Sequence, residues 1–196
     1  MPHATGIVLA GGHSRRMGRD KATLPFGPDT LLGWVVRRVR SVCPRVLVVA
    51  REPARYPGFE VVPDRFPGLG PLAGLHAGLS VAETELGVCV ACDLPFVEPA
   101  LLRHLLHAAE EVDAVVPVVR GKPEPLCAVY RRTALLPAEA LLRAGGGSLR
   151  DLFARLRVRF VPEPELRQAD PELLSFLNLN TPEDYARALR RLRGED

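Results

Sequence analysis

Gly6-Ile7-Val8-Leu9-Ala10 runs without a break into Gly11-Gly12-His13-Ser14-Arg15-Arg16-Met17-Gly18-Arg19-Asp20-Lys21. The first five residues form a short apolar run of the kind buried on both faces of a parallel sheet. The rest is a glycine-rich loop that carries cations. Its three glycines permit a tight turn and close approach of backbone N–H groups to a ligand. Successive N–H groups aimed inward make an anion-binding nest. Arg16 adds a forked positive charge and Lys21 a compact one, both suited to phosphate. A strand that delivers such a loop predicts an α/β fold built to grip a polyphosphate. Two common phosphate loops are excluded. The interval from Gly12 to Gly18 and the place of Lys21 do not fit G-x-x-x-x-G-K-[ST], and G-x-G-x-x-G is absent.

Beyond the loop, Val46–Ala50, residues 88–92 and Ala114–Val119 are further near-continuous apolar runs. Between the first two strands, residues 31–42 place apolar side chains at 31, 32, 35, 36 and 39 against arginines at 37, 38 and 40, an amphipathic helix. Residues 71–82 and 99–111 supply further helices. The second half is less regular. Residues 126–131 read as a strand, and Leu135–Arg143 as a helix ended by Gly145-Gly146-Gly147. Ser148-Leu149-Arg150-Asp151 is a capping-box pattern opening a helix through Leu156. Residues 158–161 form a strand, and Thr181-Pro182-Glu183-Asp184 caps a last helix to about Arg193. This β-α-β-α order predicts a three-layer α/β/α Rossmann-like fold with a mostly parallel central sheet. At 196 residues it fits one domain. Ligands in such folds sit beyond the carboxyl ends of the strands, which directs attention to the segments after Ala10, Ala50, Cys92 and Val119.

Composition narrows the function classes. The chain is 47% hydrophobic and 25% charged, ordinary for a globular protein. A net charge of +3 suits anionic partners, but 6% aromatics leaves little for base-stacking platforms, so no nucleic acid is expected. No apolar run approaches membrane-spanning length, and Met1-Pro2-His3-Ala4-Thr5 lacks the pattern of a secretory signal. The expected location is the cytoplasm, without membrane attachment. Lys21 and Lys122 are the only lysines in an arginine-rich chain, which makes a lysine inside a motif more informative. Cys89 and Cys92 form a C-x-x-C, but their odd offset along a strand aims them at opposite faces, and no second C-x-x-C completes a tetrahedral site. With Cys43 and Cys127 they read as small core residues. His76 fits a helix face, and the other histidines form no constellation.

The loop resembles the nucleotidyltransferase signature L-A-x-G-x-S-x-R-M-G-x-x-K. With Gly11-Gly12 and Asp20-Lys21 it is similar to that of the molybdenum cofactor guanylyltransferases. Gly70-Pro71-Leu72-Ala73-Gly74, Cys92-Asp93-Leu94-Pro95-Phe96 and Asn178-Leu179-Asn180-Thr181-Pro182-Glu183-Asp184 come after it in that family's order, so the resemblance spans nearly the whole chain. It implies a nucleotidyltransferase fold in which residues 1–100 mainly bind nucleotide and 101–196 mainly bind the acceptor. It implies transfer of GMP from GTP to the terminal phosphate of molybdopterin, or of its molybdenum-loaded form, with Mg²⁺ as cofactor and pyrophosphate as product. Transient contacts with other cofactor-synthesis proteins would go with that role. Preference for guanine would rest on Gly11, where relatives using CTP tend to carry alanine.

The resemblance also implies a role for each motif residue. Leu9, Ala10, Gly11 and Gly12 contact the nucleotide. Lys21 and Arg16 stabilise the leaving pyrophosphate. Asp64 lies near the base or ribose, against a simpler reading as a loop aspartate paired with Arg65. Asp93, after a central strand, is the metal ligand; its position also suits a helix N-cap. Mg²⁺ takes hard oxygen ligands, usually one or two carboxylates plus phosphate oxygens. Asn178 and Asn180, two apart and so on one face if extended, face the acceptor, although asparagine also favours turns. Lys122 binds the acceptor's phosphate or is a solvated loop lysine. Where relatives often have an asparagine after the second strand, this chain has Arg51. The alternatives are a molybdopterin cytidylyltransferase, a sugar- or polyol-phosphate nucleotidyltransferase of the same fold, and a non-catalytic nucleotide-binding module.

Overall fold

The structure is a computed structural model that describes residues 3–10 and 20–195. Strand β1 (Ala4–Leu9) is followed by a 3-10 turn at Lys21–Thr23 and a two-stranded ribbon, β2 (Pro25–Phe26) and β3 (Asp29–Thr30). Then come α1 (Leu31–Arg40), β4 (Val46–Ala50), β5 (Glu60–Pro63), α2 (Pro71–Val81), β6 (Leu86–Ala91) and α3 (Pro99–His107). The second half contains β7 (Ala114–Val119), β8 (Lys122–Pro123), β9 (Cys127–Arg131), α4 (Leu135–Arg143) and α5 (Leu149–Phe153). It closes with β10 (Val158–Pro162), α6 (Glu163–Leu166) and α7 (Pro182–Leu192).

Among the described residues the main sheet has the order β10-β7-β9-β6-β1-β4-β5, with β8 paired to β7. β1 pairs in parallel with both β4 and β6, β4 with β5, and β7 with β10. Only β8 and β9 run antiparallel to their neighbours, so the expected mostly parallel sheet is present. The continuous apolar runs are explained by burial on both faces. In β4, Val46, Val48 and Ala50 join α1 and α3 on one side, while Leu47 and Val49 join α2, α4 and α5 on the other. These are the two helical layers of the predicted three-layer architecture.

α2 packs unusually close to β1. A Cβ on Gly78 would lie 2.4 Å from Ile7 Cγ2, and one on Gly74 would lie 3.2 Å from Leu9 Cδ2. Glycines at an i, i+4 spacing therefore remove the side chains that would hold the helix off the sheet. A third, smaller core joins the two ends of the chain. Phe26, Leu31, Leu179 and Ala188 are buried there, with Trp34, Phe96, Tyr185, Leu189 and Leu192 around them.

Several boundaries differ from those read in the sequence. The first strand starts two residues earlier and ends at Leu9. The third helix stops at His107, and the chain turns through Glu111, with φ 55, before β7. The helix opened by Ser148 ends at Phe153, because Leu156 N–H returns to Phe153 as a tighter turn. Its capping box is present, as is the one at Thr181 and Asp184. β5 has no counterpart in the sequence reading: Glu60-Val61-Val62-Pro63 is too short and too polar to stand out.

Candidate active site

The carboxyl ends of β1 and β6 meet at the centre of the sheet, and the site is built there. β1 ends at Leu9, whose carbonyl accepts from Cys92 N–H at 3.1 Å, and Ala10 N–H donates to Val49 O at 2.9 Å. Leu9 and Ala10 thus sit in the ladder between β4 and β6, at the root of the glycine-rich loop. Gly11, Gly12 and Arg16 lie outside the described residues.

Lys21 opens the 3-10 turn that comes after the loop. Asp20 caps that turn, its Oδ1 accepting from Ala22 N–H at 3.1 Å while its carbonyl accepts from Thr23 Oγ1 at 3.0 Å. The Lys21 ammonium is thereby directed at two residues from distant parts of the chain. Nζ lies 3.4 Å from Asp93 Oδ2 and 3.3 Å from Asn180 Oδ1. Both separations exceed the roughly 2.7–2.9 Å of a tight charge-assisted hydrogen bond. The lysine is held loosely, between a carboxylate and an amide oxygen that a polyanion can displace. The Lys21 and Asp93 side chains keep 14% and 22% of their accessibility, so the pair is partly desolvated yet open to a ligand.

Asp93 lies just past β6. Leu94 N–H returns to Ala91 O, and the Asp93 carbonyl accepts from Leu179 N–H at 3.0 Å. The same contact places Asn180. Leu179 is buried in the third core, while Asn178 and Asn180 on either side of it are more accessible, the alternation expected of an extended segment. Only Asn180 reaches Lys21. Asn178 Nδ2 lies 3.4 Å from Phe176 O, a local turn contact. Asp184 accepts from the backbone N–H groups of Asn180 and Thr181, which fixes the segment against the start of α7.

Asp64 and Lys122 are not drawn into this cluster by any described contact. Asp64 Oδ1 accepts from Phe66 N–H at 2.8 Å, bracing the loop that leads to α2. Its pairing is therefore with backbone rather than with Arg65. Gly70, with φ 75, occupies the N-cap of α2, a conformation that favours glycine. Lys122 is exposed on the β7–β8 hairpin, at the same end of the sheet. Arg51 is exposed beyond β4.

The cysteines stay outside the chemistry. Cys89 packs on one side of the sheet and Cys92 against the other, as their spacing requires, although Cys92 lies just past β6 and is only partly buried. Burial pushes both thiols up to about 12, with Asp93 adding to the effect at Cys92. They are neutral near pH 7 and poor nucleophiles or metal ligands. No group of three or more His, Cys, Asp or Glu side chains placed to hold a metal occurs among the described residues.

Two participants had no sequence signal of their own. Leu179 is one apolar residue between two asparagines. Tyr56, in an irregular stretch after β4, is 7% exposed, and its hydroxyl donates to Asp20 Oδ2 at 2.7 Å. An isolated aromatic in a loop belongs to no periodic pattern, so only the folded chain brings it to Asp20.

Residues 6–161 match the family model described as MobA-like NTP transferase domain. The chain is 40% identical over 192 residues to a molybdenum cofactor guanylyltransferase of Desulfosudis oleivorans, covering 96% of this chain and 95% of that one. It is 33% identical over 195 residues to a molybdenum cofactor guanylyltransferase of Syntrophotalea carbinolica, covering 97% and 93%. Among solved structures it is similar to molybdopterin-guanine dinucleotide biosynthesis protein A from Archaeoglobus fulgidus, with TM-score 0.84, 32% identity, and 97% and 99% of the two chains covered. The 2-C-methyl-D-erythritol 4-phosphate cytidylyltransferase of Thermus thermophilus shares the fold, with TM-score 0.73 at 21% identity, covering 98% and 100%.

Proposed function

The chain belongs to the MobA-like NTP transferase family, and on that basis we propose that it transfers GMP from GTP to the terminal phosphate of molybdopterin, releasing pyrophosphate. The observation that carries this reading is the meeting of Lys21, Asp93 and Asn180, from three separate segments, at the carboxyl edge of the sheet. A phosphate oxygen of the acceptor attacks the α-phosphorus of GTP. A new P–O bond forms, the bond to the oxygen bridging to the β-phosphate breaks, and pyrophosphate leaves. The attacking oxygen is already anionic near neutral pH, so the reaction needs no general base, and no Ser-His-Asp arrangement is required. The obstacle is repulsion between two polyanions, which positioning and charge neutralisation overcome.

In this reading Lys21 takes up charge on the departing pyrophosphate, and Arg16 shares that task. Leu9, Ala10, Gly11 and Gly12 offer backbone groups to the nucleotide. Asp64 stands on its base or ribose side, and Asn178, Asn180 and Lys122 face the acceptor. The first hundred residues thus serve mainly GTP and the remainder mainly the pterin. A divalent cation fits Asp93: its carboxylate is a hard oxygen donor, partly open, with one oxygen on Lys21. A single protein carboxylate leaves the other positions to phosphate oxygens and water, as Mg²⁺ prefers. When bound, Mg²⁺ would supply charge neutralisation at the phosphates.

No described helix is long and apolar enough to cross a membrane. A cytoplasmic enzyme that meets other cofactor-synthesis proteins only transiently fits this reading.

The test is incubation with labelled GTP, Mg²⁺ and molybdopterin, with CTP and sugar phosphates as competing substrates. The guanine dinucleotide and pyrophosphate are the expected products. Lys21→Ala is expected to keep its fold and lose about 3 kcal/mol of transition-state stabilisation, a hundredfold or more in turnover, by analogy with oxyanion donors. Nucleotide binding without transfer would favour a non-catalytic module, and preference for CTP would favour a cytidylyltransferase.

A further inference from the structure

Tyr56 stands behind the site without touching Lys21. Its hydroxyl donates to Asp20 Oδ2 at 2.7 Å and lies 3.4 Å from the carbonyl oxygen of Ala10. Ala10 immediately precedes Gly11-Gly12, and Asp20 immediately precedes Lys21. The phenol is thus bonded at the Asp20 end and lies beside the Ala10 end. The ring is anchored, since Tyr56 is 7% exposed and belongs to the core on the α1 and α3 side of the sheet. The hydroxyl has one proton to give, and the shorter contact assigns it to the carboxylate. Burial and then the neighbouring Asp20 carboxylate raise the Tyr56 pKa, so the phenol remains a donor across the working range. Arg55 also approaches Asp20 Oδ2, at 3.8 Å, but its side chain is mostly exposed and this outer contact is weak.

The Asp20 carboxylate is divided between two tasks. Oδ2 takes the phenol, and Oδ1 caps the 3-10 turn whose first residue is Lys21. With both oxygens engaged, the carboxylate fixes the residue beside the lysine. Misplacement of a catalytic cation by about 1 Å is enough to cost a hundredfold in rate. We propose that Tyr56 is a positioning residue: through Asp20 it clasps the start of the turn that carries Lys21 and holds Lys21 in line with Asp93. The inference rests on the reading of Lys21 as the cation that meets the leaving pyrophosphate.

Tyr56→Phe keeps the ring in its core and removes only the hydroxyl. We expect kcat for guanylyl transfer to fall roughly ten- to thirtyfold, with KM for GTP changed less than about threefold, because the effect passes through a transition-state contact. Circular dichroism and melting temperature establish that the variant is folded. Asp20→Asn, at a partly exposed site, tests the same clasp should Tyr56→Phe fold poorly, and is expected to lower kcat in the same way. The decisive comparison is the double variant. In a Lys21→Ala background, Tyr56→Phe is expected to add less than about a twofold loss, since the group it positions is gone. A kcat within about twofold of wild type for folded Tyr56→Phe and Asp20→Asn would overturn the clasp alone. So would a full additional loss in the Lys21→Ala background. Wild-type turnover by Lys21→Ala would instead overturn the reading of the lysine, and the purpose of the clasp with it.

Discussion

A lysine 3.4 Å from a carboxylate and 3.3 Å from an amide oxygen has neither in a strong bond. Exposed or loosely paired ions of this kind contribute about 0–1 kcal/mol to stability. The value of the arrangement lies in where it holds the ammonium. Asn180 is the most informative single residue, because it is uncharged, accessible and bonded to Lys21 through its side chain. Asn180→Ala removes one acceptor at a long distance, worth about 1 kcal/mol at most. The expected result is roughly a fivefold fall in kcat for guanylyl transfer with an unchanged melting temperature, measured by steady-state kinetics and thermal unfolding. Asn178 makes only its local turn contact among the described residues. Its alanine variant provides the comparison at the matching position across Leu179.

Among the elements, α2 shows how packing and titration meet. It is buried almost from end to end, pressed against β1 through Gly74 and Gly78, and it carries His76 at 5% exposure. His76 meets the edge of Phe66, and its Nδ1 has no hydrogen-bond partner among the described residues. Burial lowers its pKa, opposed by Glu139 and Asp64 and reinforced by Arg65 and Arg143. The unfolded imidazole takes up a proton below about pH 6.5, and the buried one only at lower pH. The unfolded chain therefore binds more protons as pH falls, and stability declines from about pH 7 downward. His76→Leu is expected to flatten that part of the stability–pH curve relative to wild type; an identical loss of stability in both proteins between about pH 7.5 and pH 5, measured by urea unfolding, would contradict it. The elements also mark how far the sequence could be read. β4, β7 and α4 were legible to the residue, because long apolar runs and clear periodicity leave one solution. β5 and the β2–β3 ribbon were not, since two to four residues carry no period. Lys21 stood out as the lysine of the glycine-rich motif, and Asp93 as a carboxylate just past an apolar strand. Tyr56 and Leu179 did not, because their roles come from contacts between segments far apart in the chain.

The whole molecule is arranged so that the sheet supplies position and the chain ends supply closure. The carboxyl ends of β1 and β6 lie side by side and present Ala10 and Asp93. The small third core then draws three stretches together: Phe26 after Lys21, Phe96 after Asp93, and Leu179 beside Asn180. Phe26 packs edge-on against both Trp34 and Phe96, the Trp34 indole N–H donates to Pro95 O, and the Tyr185 hydroxyl donates to Pro25 O. α7 is thus fastened to the ribbon beyond the loop, and the last part of the chain completes a site begun in the first. The proposed chemistry turns on a single carboxylate serving as the protein's hold on the cation beside Lys21. The direct test is the Mg²⁺ concentration giving half-maximal guanylyl transfer at saturating GTP, compared between wild type and Asp93→Asn. The variant is expected to need at least about ten times more Mg²⁺ and to lose most of its maximal rate, at an unchanged melting temperature. An unaltered Mg²⁺ requirement in Asp93→Asn would contradict the assignment.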